Sequence, residues 1–347
     1  MRVDKEYCMS SFLTFRYIFD ENVTFKENIS RSKYQIADTK YLCETADDID
    51  AAIRDYFKDK IDSRTGIMLS GGMDSATLAT YMPKGTKAYT LKSMAEGALD
   101  ESEQAKEYAE ICGLDHRIVE IYWEDYEKYS PILMKRKGAP IHSIEPMIYK
   151  AALQAKADGC DKLVFGDSAD MVFGGLDGLL AKDWSYEEFV QRFTYLNPRL
   201  VLKNPVRIDE PFMPFWDGET FDSHRFVNER FGVESVNSYL NALACAGVEY
   251  VEPYGTMNMS APINLERIRS GDTKYLVREL FTKRYNGLKP REKIPMPRAV
   301  GIWLADWEGP TREEFLPDCI EGLKADQKWL LYSLEMFLNM IDIQQLP

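Results

Sequence analysis

Between residues 45 and 165, short apolar segments alternate with segments in which apolar residues recur at helical spacing. The predicted helices are residues 45–61, 74–82, 100–112 and 144–157. The predicted strands are residues 66–69, 87–91, 117–122 and 162–165. Strands that alternate with helices favour a parallel sheet covered on both faces, and ligands bind at the carboxyl ends of such strands. We therefore expect an α/β fold with a Rossmann-like parallel sheet.

The segments on either side of this region have a different pattern. Residues 1–45 carry short alternating apolar stretches, such as residues 12–18, and are predicted to be strand and linker. Beyond about residue 180 the chain is predicted to be mainly helical. Residues 328–341 are apolar on much of their circumference and are predicted to form a core helix; alternatively, this face makes a contact between the subunits of a homodimer.

Composition excludes several classes of partner and location. A net charge of −13 argues against nucleic acid as a partner, because an extended phosphate backbone would be repelled on average. No apolar run approaches the ~20 residues that a membrane span needs, and the first residues lack the apolar core of a signal peptide. The six cysteines are scattered and contain no CxxC pair, which is typical of neither a zinc site nor a disulfide framework. We therefore expect a protein of the reducing cytoplasm.

A candidate phosphate loop, Ser-Gly-Gly-Met-Asp-Ser at residues 70–75, lies between a predicted strand and a predicted helix. Its two glycines let the backbone approach a phosphate without obstruction by Cβ, and its two serines add hydroxyl donors. The carboxylate of Asp74 would repel a polyphosphate unless a divalent cation bridged them, so it indicates Mg²⁺. The alternative is a Gly-Gly hairpin turn capped by aspartate. The sequence has no GxxxxGK[ST] segment, so transfer of a γ-phosphate is not indicated.

A second acidic loop, residues 166–175, follows the predicted strand at 162–165. It contains Asp167 and Asp170, two carboxylates three residues apart at a predicted helix start, which can face the same cleft. Taken alone, the segment is also compatible with an N-capped helix that carries an ordinary aspartate in its first turn. Beside the first loop in the same sheet, it is better interpreted as the other half of a site for Mg²⁺ and ATP.

Both loops resemble motifs of a known superfamily. Residues 70–75 resemble the signature loop of the N-type ATP pyrophosphatases, which include asparagine, GMP, NAD and argininosuccinate synthetases. Residues 166–175 are similar to the GEGADELFGGY motif of class B asparagine synthetase, β-lactam synthetase and carbapenam synthetase. The resemblance implies that Asp170 binds metal and that Asp167 lies near the reacting centre, where asparagine synthetase has a glutamate and β-lactam synthetase a tyrosine. Met171 replaces a further acidic position of the motif.

A third match lies far downstream. Residues 274–278 and 290–293 resemble the family's "KyiLR…wRqKe" stretch. The resemblance implies that Lys293 neutralises charge on the acyl-adenylate and on the departing pyrophosphate, a role in which a fixed cation lowers the barrier. Arg291, in the same stretch, is a further catalytic candidate. The alternative for this proline-rich stretch is a solvated charged loop.

The resemblance also implies a domain organisation. Residues 12–25 look like the linker that closes the family's glutaminase domain, so residues 1–45 are expected to be its remnant and residues 46–347 the synthetase domain. The glutaminase nucleophile is a cysteine directly after the initiator methionine, and this sequence has Arg2 there. We therefore expect no intrinsic glutamine hydrolysis. Residues 247–256 keep only part of the family's "gvEaRvPFLD" segment, which shapes the substrate side, so the carboxylate need not be aspartate.

The predicted function is an asparagine synthetase-like ligase on an ATP-pyrophosphatase (adenine nucleotide alpha hydrolase) fold. It adenylates a small-molecule carboxylate with ATP and Mg²⁺, releases pyrophosphate, and forms an amide with ammonia or an amine, which a separate amidotransferase could supply. The predicted catalytic residues are Lys293, Asp167 and Arg291, and the predicted metal ligands are Asp74 and Asp170. The predicted ATP-binding residues are Leu69, Ser70, Gly71, Gly72, Met73, Asp74, Ser75, Leu91 and Gly166, of which Leu69, Leu91 and Gly166 would line the adenine pocket.

Three alternatives remain open at this point. The first is amidation of a specialised metabolite, sugar or peptide in a dedicated pathway, which differs from asparagine synthesis in substrate only. The second is a tRNA-modifying enzyme of the same superfamily, although the basic surface and paired cysteines typical of that class are missing. The third is a degenerate ATP-binding regulatory protein; the retained Asp74, Asp170 and Lys293 argue against it, since mere binding would not require the lysine.

Overall fold

A computed structural model describes residues 1–34, 38–291 and 298–343. In these residues nine strands are formed, which are β1 Arg2–Val3, β2 Val23–Thr24, β3 Tyr41–Cys43, β4 Thr65–Met68, β5 Lys87–Ser93, β6 Asp115–Ile121, β7 Lys162–Val164, β8 Glu249–Val251 and β9 Met257–Met259. The central sheet has the order β6-β5-β4-β7-β8, and every neighbouring pair is parallel. Two small parallel pairs, β1-β2 and β3-β9, lie outside it. The expected Rossmann-like parallel sheet is confirmed.

The order of the strands locates the ligand-binding edge. In chain order the five strands are arranged 3-2-1-4-5, so the direction of winding reverses between β4 and β7. In open α/β sheets, ligands bind beyond the carboxyl ends of the strands at such a switch point. Residues 69–72 follow β4 and residues 165–168 follow β7. Both loops that the sequence singles out therefore begin at the switch point.

Helices cover the sheet on both faces. The α-helices of the described residues are α1 Lys5–Phe15, α2 Ala46–Lys58, α3 Met73–Ala79, α4 Ser102–Cys112, α5 Trp123–Lys137, α6 Glu145–Ala157, α7 Ala169–Val172, α8 Asp177–Leu180, α9 Tyr186–Phe193, α10 Ser223–Phe226, α11 Gly232–Ala246, α12 Leu265–Arg269, α13 Tyr275–Arg284, α14 Val300–Trp303 and α15 Ala325–Asp342. A π-helical turn, Val227–Phe231, joins α10 to α11. The region beyond residue 180 is mainly helical, as predicted, but it also supplies β8, an edge strand of the central sheet that was not predicted.

Local sequence explains where the predicted helices begin and end. The side chain of Thr45 caps α2 in a capping box with Asp48, and the apolar residues of α2 face the core. Gly113 ends α4 in the left-handed conformation with φ 68°, which glycine adopts without steric cost. In both places the predicted boundary is confirmed.

Two hydrophobic clusters lie on opposite faces of the sheet. Alternate residues of a strand point to opposite faces, so Met68 and Leu163 belong to one cluster whereas Ile67 and Val164 belong to the other. Helix α15 packs in the first cluster and buries Trp329 among other residues, which confirms the prediction of a core helix. No helix among the described residues combines the length and apolar character needed to cross a membrane.

The prediction of strand over residues 12–18 is wrong. Residues 5–15 form α1, whose N-terminus is capped by Asp4 and whose left-handed end is Arg16. Phe12, Leu13 and Phe15 are almost fully buried. Because α1 is buried on most of its circumference, its apolar residues follow no single helical stripe, and the short Phe-Leu-Thr-Phe run imitates the alternation of a strand. The domain boundary at residue 45 itself stays a prediction.

Candidate active site

A cavity of about 500 Å³ lies at the switch point between the loops that follow β4 and β7. It is lined by most of the residues predicted to bind ATP or metal or to act in catalysis: Leu69, Ser70, Gly72, Met73, Asp74, Ser75, Leu91, Gly166, Asp167, Asp170 and Arg291. Gly71 lies behind this wall. Lys293 lies outside the described residues. Segments far apart in the sequence thus bring the predicted residues together in one cavity.

Hydroxyl groups organise the first loop. The Oγ atoms of Ser70 and Ser75 are 2.9 Å apart, and the backbone N–H of Ser70 donates to Ser75 Oγ at 3.0 Å. The N–H of Gly72 donates to Ser70 Oγ at 3.1 Å. These bonds hold both hydroxyls at the wall of the cavity, where they can turn toward an anionic ligand.

The N–H of Gly71 donates to the carboxylate of Glu101 at 2.9 Å, an interaction that the sequence analysis missed. Glu101 precedes α4, lines the same cavity and is only 7% exposed. Burial raises the pKa of Glu101 to about 7, against the opposing effect of the hydrogen bond from Gly71. A buried acidic group at the wall of the cavity therefore binds the backbone of the candidate phosphate loop.

Lys274 connects the two loops. Its Nζ lies 2.6 Å from a carboxylate oxygen of Asp74 and 2.8 Å from one of Asp170. Lys274 is buried and precedes α13 in the left-handed conformation with φ 47°. Burial lowers the pKa of this lysine, but the two carboxylates outweigh that effect and raise it above its usual value. Lys274 belongs to the third matched segment, but sequence reasoning assigned it no role.

The carboxylates of Asp74 and Asp170 fit a shared magnesium ion, provided that a phosphate ligand binds the ion as well. Both converge on a single cationic group, so their oxygen atoms can face a single cation. Among the described residues, no three acidic, histidine or cysteine side chains are grouped as a metal site. Mg²⁺ is commonly held by one or two carboxylates together with phosphate oxygens of a nucleotide, and the two aspartates meet that requirement only when such a ligand is present.

Asp167 is the predicted reacting-centre carboxylate. Its Oδ2 atom has no hydrogen-bond partner among the described residues. Burial raises the pKa of Asp167 to about 7, and the charges of Asp170 and Glu234 add to the effect. The aromatic rings of Phe165 and Tyr239 line the cavity beside it. A carboxyl group with a pKa near neutrality can exchange a proton in either direction at physiological pH.

Cationic side chains also lie at the wall of the cavity. Arg278, on α13, lines it together with Lys274 and Arg291. Arg291 forms an ion pair with Glu107 on α4 and is exposed. Three cationic side chains therefore lie at the wall of this cavity together with the acidic Asp74, Glu101, Asp167 and Asp170, although the chain as a whole is strongly acidic.

A larger groove of about 990 Å³ lies elsewhere, beside α9 and the start of α15. Its lining in the described part of the chain includes none of the residues predicted for the site. Size alone does not identify a functional cavity, so the switch-point cavity is the better candidate.

Comparison with known proteins identifies the family to which the sequence is similar. The sequence model of the asparagine synthase family matches residues 48–240, which is more than half of the chain. No curated protein sequence matches the chain. Among solved structures, an NMN synthetase from Francisella tularensis is similar at 12% identity over 72% of this chain and 96% of that chain, with a TM-score of 0.28. A predicted subunit of a tRNA methyltransferase from Methanocaldococcus jannaschii is similar at 15% identity over 67% of this chain and 92% of that chain, with a TM-score of 0.24. Both TM-scores are too low to support an argument.

Proposed function

Because the chain belongs to the asparagine synthase family, we propose that it adenylates a substrate carboxylate with ATP, releases pyrophosphate, and transfers the acyl group to ammonia or an amine. Family membership and the five-stranded parallel sheet confirm the predicted ATP-pyrophosphatase type of fold. ATP-dependent ligation is the activity of the family as a whole. The particular steps and residues below are our proposal.

The observation that carries the proposal is the position of Lys274 between Asp74 and Asp170. A cation bound by both loops is what a site for a polyphosphate needs at the point where the loops meet. The serine hydroxyls of residues 70–75 line the same cavity. A triphosphate in this position would lie between the first loop and Lys274, with the base toward Leu69 and Leu91.

Asp74 and Asp170 would hold Mg²⁺ together with phosphate oxygens, and the ion would supply charge neutralisation for the triphosphate. Lys274 would remain beside the phosphates as a buried ammonium group, because its pKa is raised. Negative charge develops on the leaving pyrophosphate when a carboxylate oxygen attacks the α-phosphorus. A fixed cation in a site shielded from water stabilises that charge. Lys293 is proposed, from the sequence resemblance alone, to assist it.

Asp167 is the proposed general base of the second step. The nitrogen nucleophile forms a bond to the acyl carbon, the bond from that carbon to the AMP oxygen breaks, and the nitrogen loses a proton. A carboxylate with a pKa of about 7 can accept this proton. The unpartnered Oδ2 atom of Asp167 is available for the purpose.

Exchange of labelled pyrophosphate into ATP, measured with a panel of small carboxylic acids, tests the first step. We expect exchange with a subset of the acids, and AMP instead of ADP as the nucleotide product. Asp74→Asn should abolish exchange, whereas Asp47→Asn, an exposed aspartate on α2, should not change it. Production of ADP and phosphate would contradict the proposal.

The nitrogen donor is tested separately, by measuring amide formation with ammonium chloride, primary amines and glutamine. Formation of an amide with ammonium or an amine is the expected result. Turnover that proceeds only with glutamine would show that the nitrogen donor has been assigned wrongly, while leaving the adenylation step in place.

A further inference from the structure

A second cavity, of about 420 Å³, lies on the other side of the loop that follows β7. Ser168, next to Asp167 in the chain, forms part of its wall. The other described lining residues come from the segment before β3, from α2, α7, the π-helical turn and α11, and from β8, β9 and the residues between those two strands. Of the predicted ATP-binding, metal-binding and catalytic residues that the structure describes, none lines this cavity.

Polar atoms without partners are concentrated in this second cavity. Glu252 is 5% exposed, and its Oε1 atom has no hydrogen-bond partner among the described residues, whereas Oε2 accepts the N–H of Gly255 at 2.5 Å. The Oδ1 atom of Asn228 and the hydroxyl of Tyr250 are likewise buried without partners in the described part of the chain. Leaving buried polar atoms unsatisfied is costly, so their concentration in one cavity indicates a ligand.

The chemistry of these atoms selects a ligand that donates hydrogen bonds and carries positive charge. The charged side chains among the described lining residues are Asp38 and Glu252, both acidic. The carboxylate of Glu252 and the amide oxygen of Asn228 are acceptors, and a primary ammonium group has three N–H donors. Burial and the nearby Asp167 raise the pKa of Glu252 well above its usual value. A cation bound beside this carboxyl group would favour its ionised form and so lower that pKa.

Much of the rest of the wall is apolar. Its apolar residues include Met171, Val172, Val236, Leu240 and Met257. Free ammonia has no apolar part to bury there. A primary amine with a short hydrocarbon body fits both the acceptors and the apolar wall.

The two cavities share a partition. The ring of Tyr250 lies 5.2 Å from that of Phe165 and is stacked at 5.9 Å on that of Tyr239. Phe165 and Tyr239 line the switch-point cavity, whereas Tyr250 lines the second. The cluster of three aromatic rings and the Asp167–Ser168 segment therefore border both cavities, so a ligand of the second cavity would lie close to the proposed acyl-adenylate.

From this arrangement we infer that the second cavity binds the nitrogen donor of the ligation, and that this donor is a small primary amine whose ammonium group is held by Glu252 and Asn228. One proton of that group passes to the Glu252 carboxylate, and the neutral nitrogen then attacks the acyl carbon, losing its second proton to Asp167 as AMP leaves. The inference rests on the proposed function and specifies its second substrate. It predicts that amine recognition depends on residues that do not contact ATP.

Direct binding tests the inference without turnover. Ligand-detected NMR titrations of the full chain with n-butylammonium chloride should show saturable binding, whereas n-butanol, which has the same length and no charge, should bind at least about tenfold more weakly. Glu252→Gln should weaken binding of n-butylammonium about tenfold, because glutamine keeps an acceptor for Gly255 but removes the charge. Glu249→Gln, which alters an exposed glutamate of β8 paired with Lys60, should bind as the unaltered protein does.

Tyr250→Phe is a second variant and removes only one hydroxyl group. It tests amine binding even if Glu252→Gln fails to fold. A two- to fivefold weaker affinity for n-butylammonium is expected. Equal affinity for the amine and the alcohol, no detectable binding, or unchanged affinity in the folded variants would overturn the inference. Pyrophosphate exchange by the unaltered protein tests the proposed adenylation independently of amine binding. Failure of the proposed function can therefore be distinguished from failure of the amine-site inference.

Discussion

A Cβ atom placed on Gly166 would lie 2.6 Å from the backbone nitrogen of Ser75. Gly166 follows β7 and Ser75 lies in α3, after the neighbouring strand β4. The two loops therefore touch through their backbones at the switch point of the sheet. This contact leaves no room for a side chain at residue 166, and it sets the distance between the first loop and Asp170.

Gly166→Ala should push the two loops apart. Real Cβ atoms essentially never approach backbone atoms so closely, so the backbone must shift, at a cost of about 1–3 kcal/mol in the free energy of unfolding. We expect weaker ATP binding, measured by calorimetry, and a lower melting temperature. Gly178→Ala is the matched control, because a Cβ there would meet only the flexible end of Arg192. ATP affinity that is equal in the two variants would show that the contact does not organise the site.

Lys274→Met should affect both stability and adenylation. The substitution removes the ammonium group that Asp74 and Asp170 share, and two negative charges then lie close together in a largely buried place. We expect a loss of about 2 kcal/mol in the free energy of unfolding without divalent cations, from chemical denaturation. Added Mg²⁺ should restore part of this loss in the variant, because it can neutralise the same carboxylates.

Lys283→Met provides the comparison for Lys274→Met. Lys283 is exposed and pairs with Asp47 and Glu279 at the surface, where ion pairs contribute little. Its substitution should change neither stability nor pyrophosphate exchange appreciably. A Lys274→Met variant that resembles Lys283→Met in both measurements would remove the main support for the proposed site.

Much of the site could be predicted because strand periodicity and loop chemistry are local properties of the sequence. The apolar strand before residues 70–75 and the one before residues 166–175 predict two loops at the carboxyl edge of one sheet, and the structure places both there. The capping box of Thr45 likewise needs only neighbouring residues. Where four or five adjacent residues determine the geometry, sequence reasoning succeeded.

The features that were missed depend on tertiary contacts. Helix α1 was taken for a strand because its surroundings bury it on several sides. The edge strand β8 has only three residues, and its place is set by pairing with β7. Helix α5 was not predicted either. It contains Pro131, and proline is unfavourable in a helix interior. Glu101 lies thirty residues from Gly71, and only the folded chain brings its carboxylate to that N–H group.

Glu101 should make stability depend on pH. Its pKa is raised from 4.5 to about 7 in the folded protein. The folded state therefore keeps this proton over a range in which the unfolded chain has lost it, and the free energy of unfolding falls as pH rises from about 4.5 to 7. Glu101→Gln should remove this decline, so that relative to the unaltered protein the variant gains up to about 3 kcal/mol between pH 5 and 8.

Denaturant titrations at several pH values measure the effect of Glu101. Glu103→Gln, an exposed position in the first turn of α4, controls for the loss of one carboxylate and should follow the unaltered protein at every pH. If Glu101→Gln shows the same slope against pH as the unaltered protein, the carboxyl group does not titrate in the way its buried position requires.

Asp167 should control the second step more strongly than the first. Its ionised form accepts a proton from the nitrogen nucleophile, and its pKa is about 7. At a fixed concentration of unprotonated amine, the rate of amide formation should therefore rise with pH up to about neutrality and then level off. Asp167→Asn should lower this rate about 10²-fold, with a much smaller effect on pyrophosphate exchange. Asp167→Glu keeps a carboxylate and should retain more amide formation than Asp167→Asn. If Asp167→Asn instead reduces both steps equally and the pH profile is unchanged, Asp167 positions ATP and another group takes the proton.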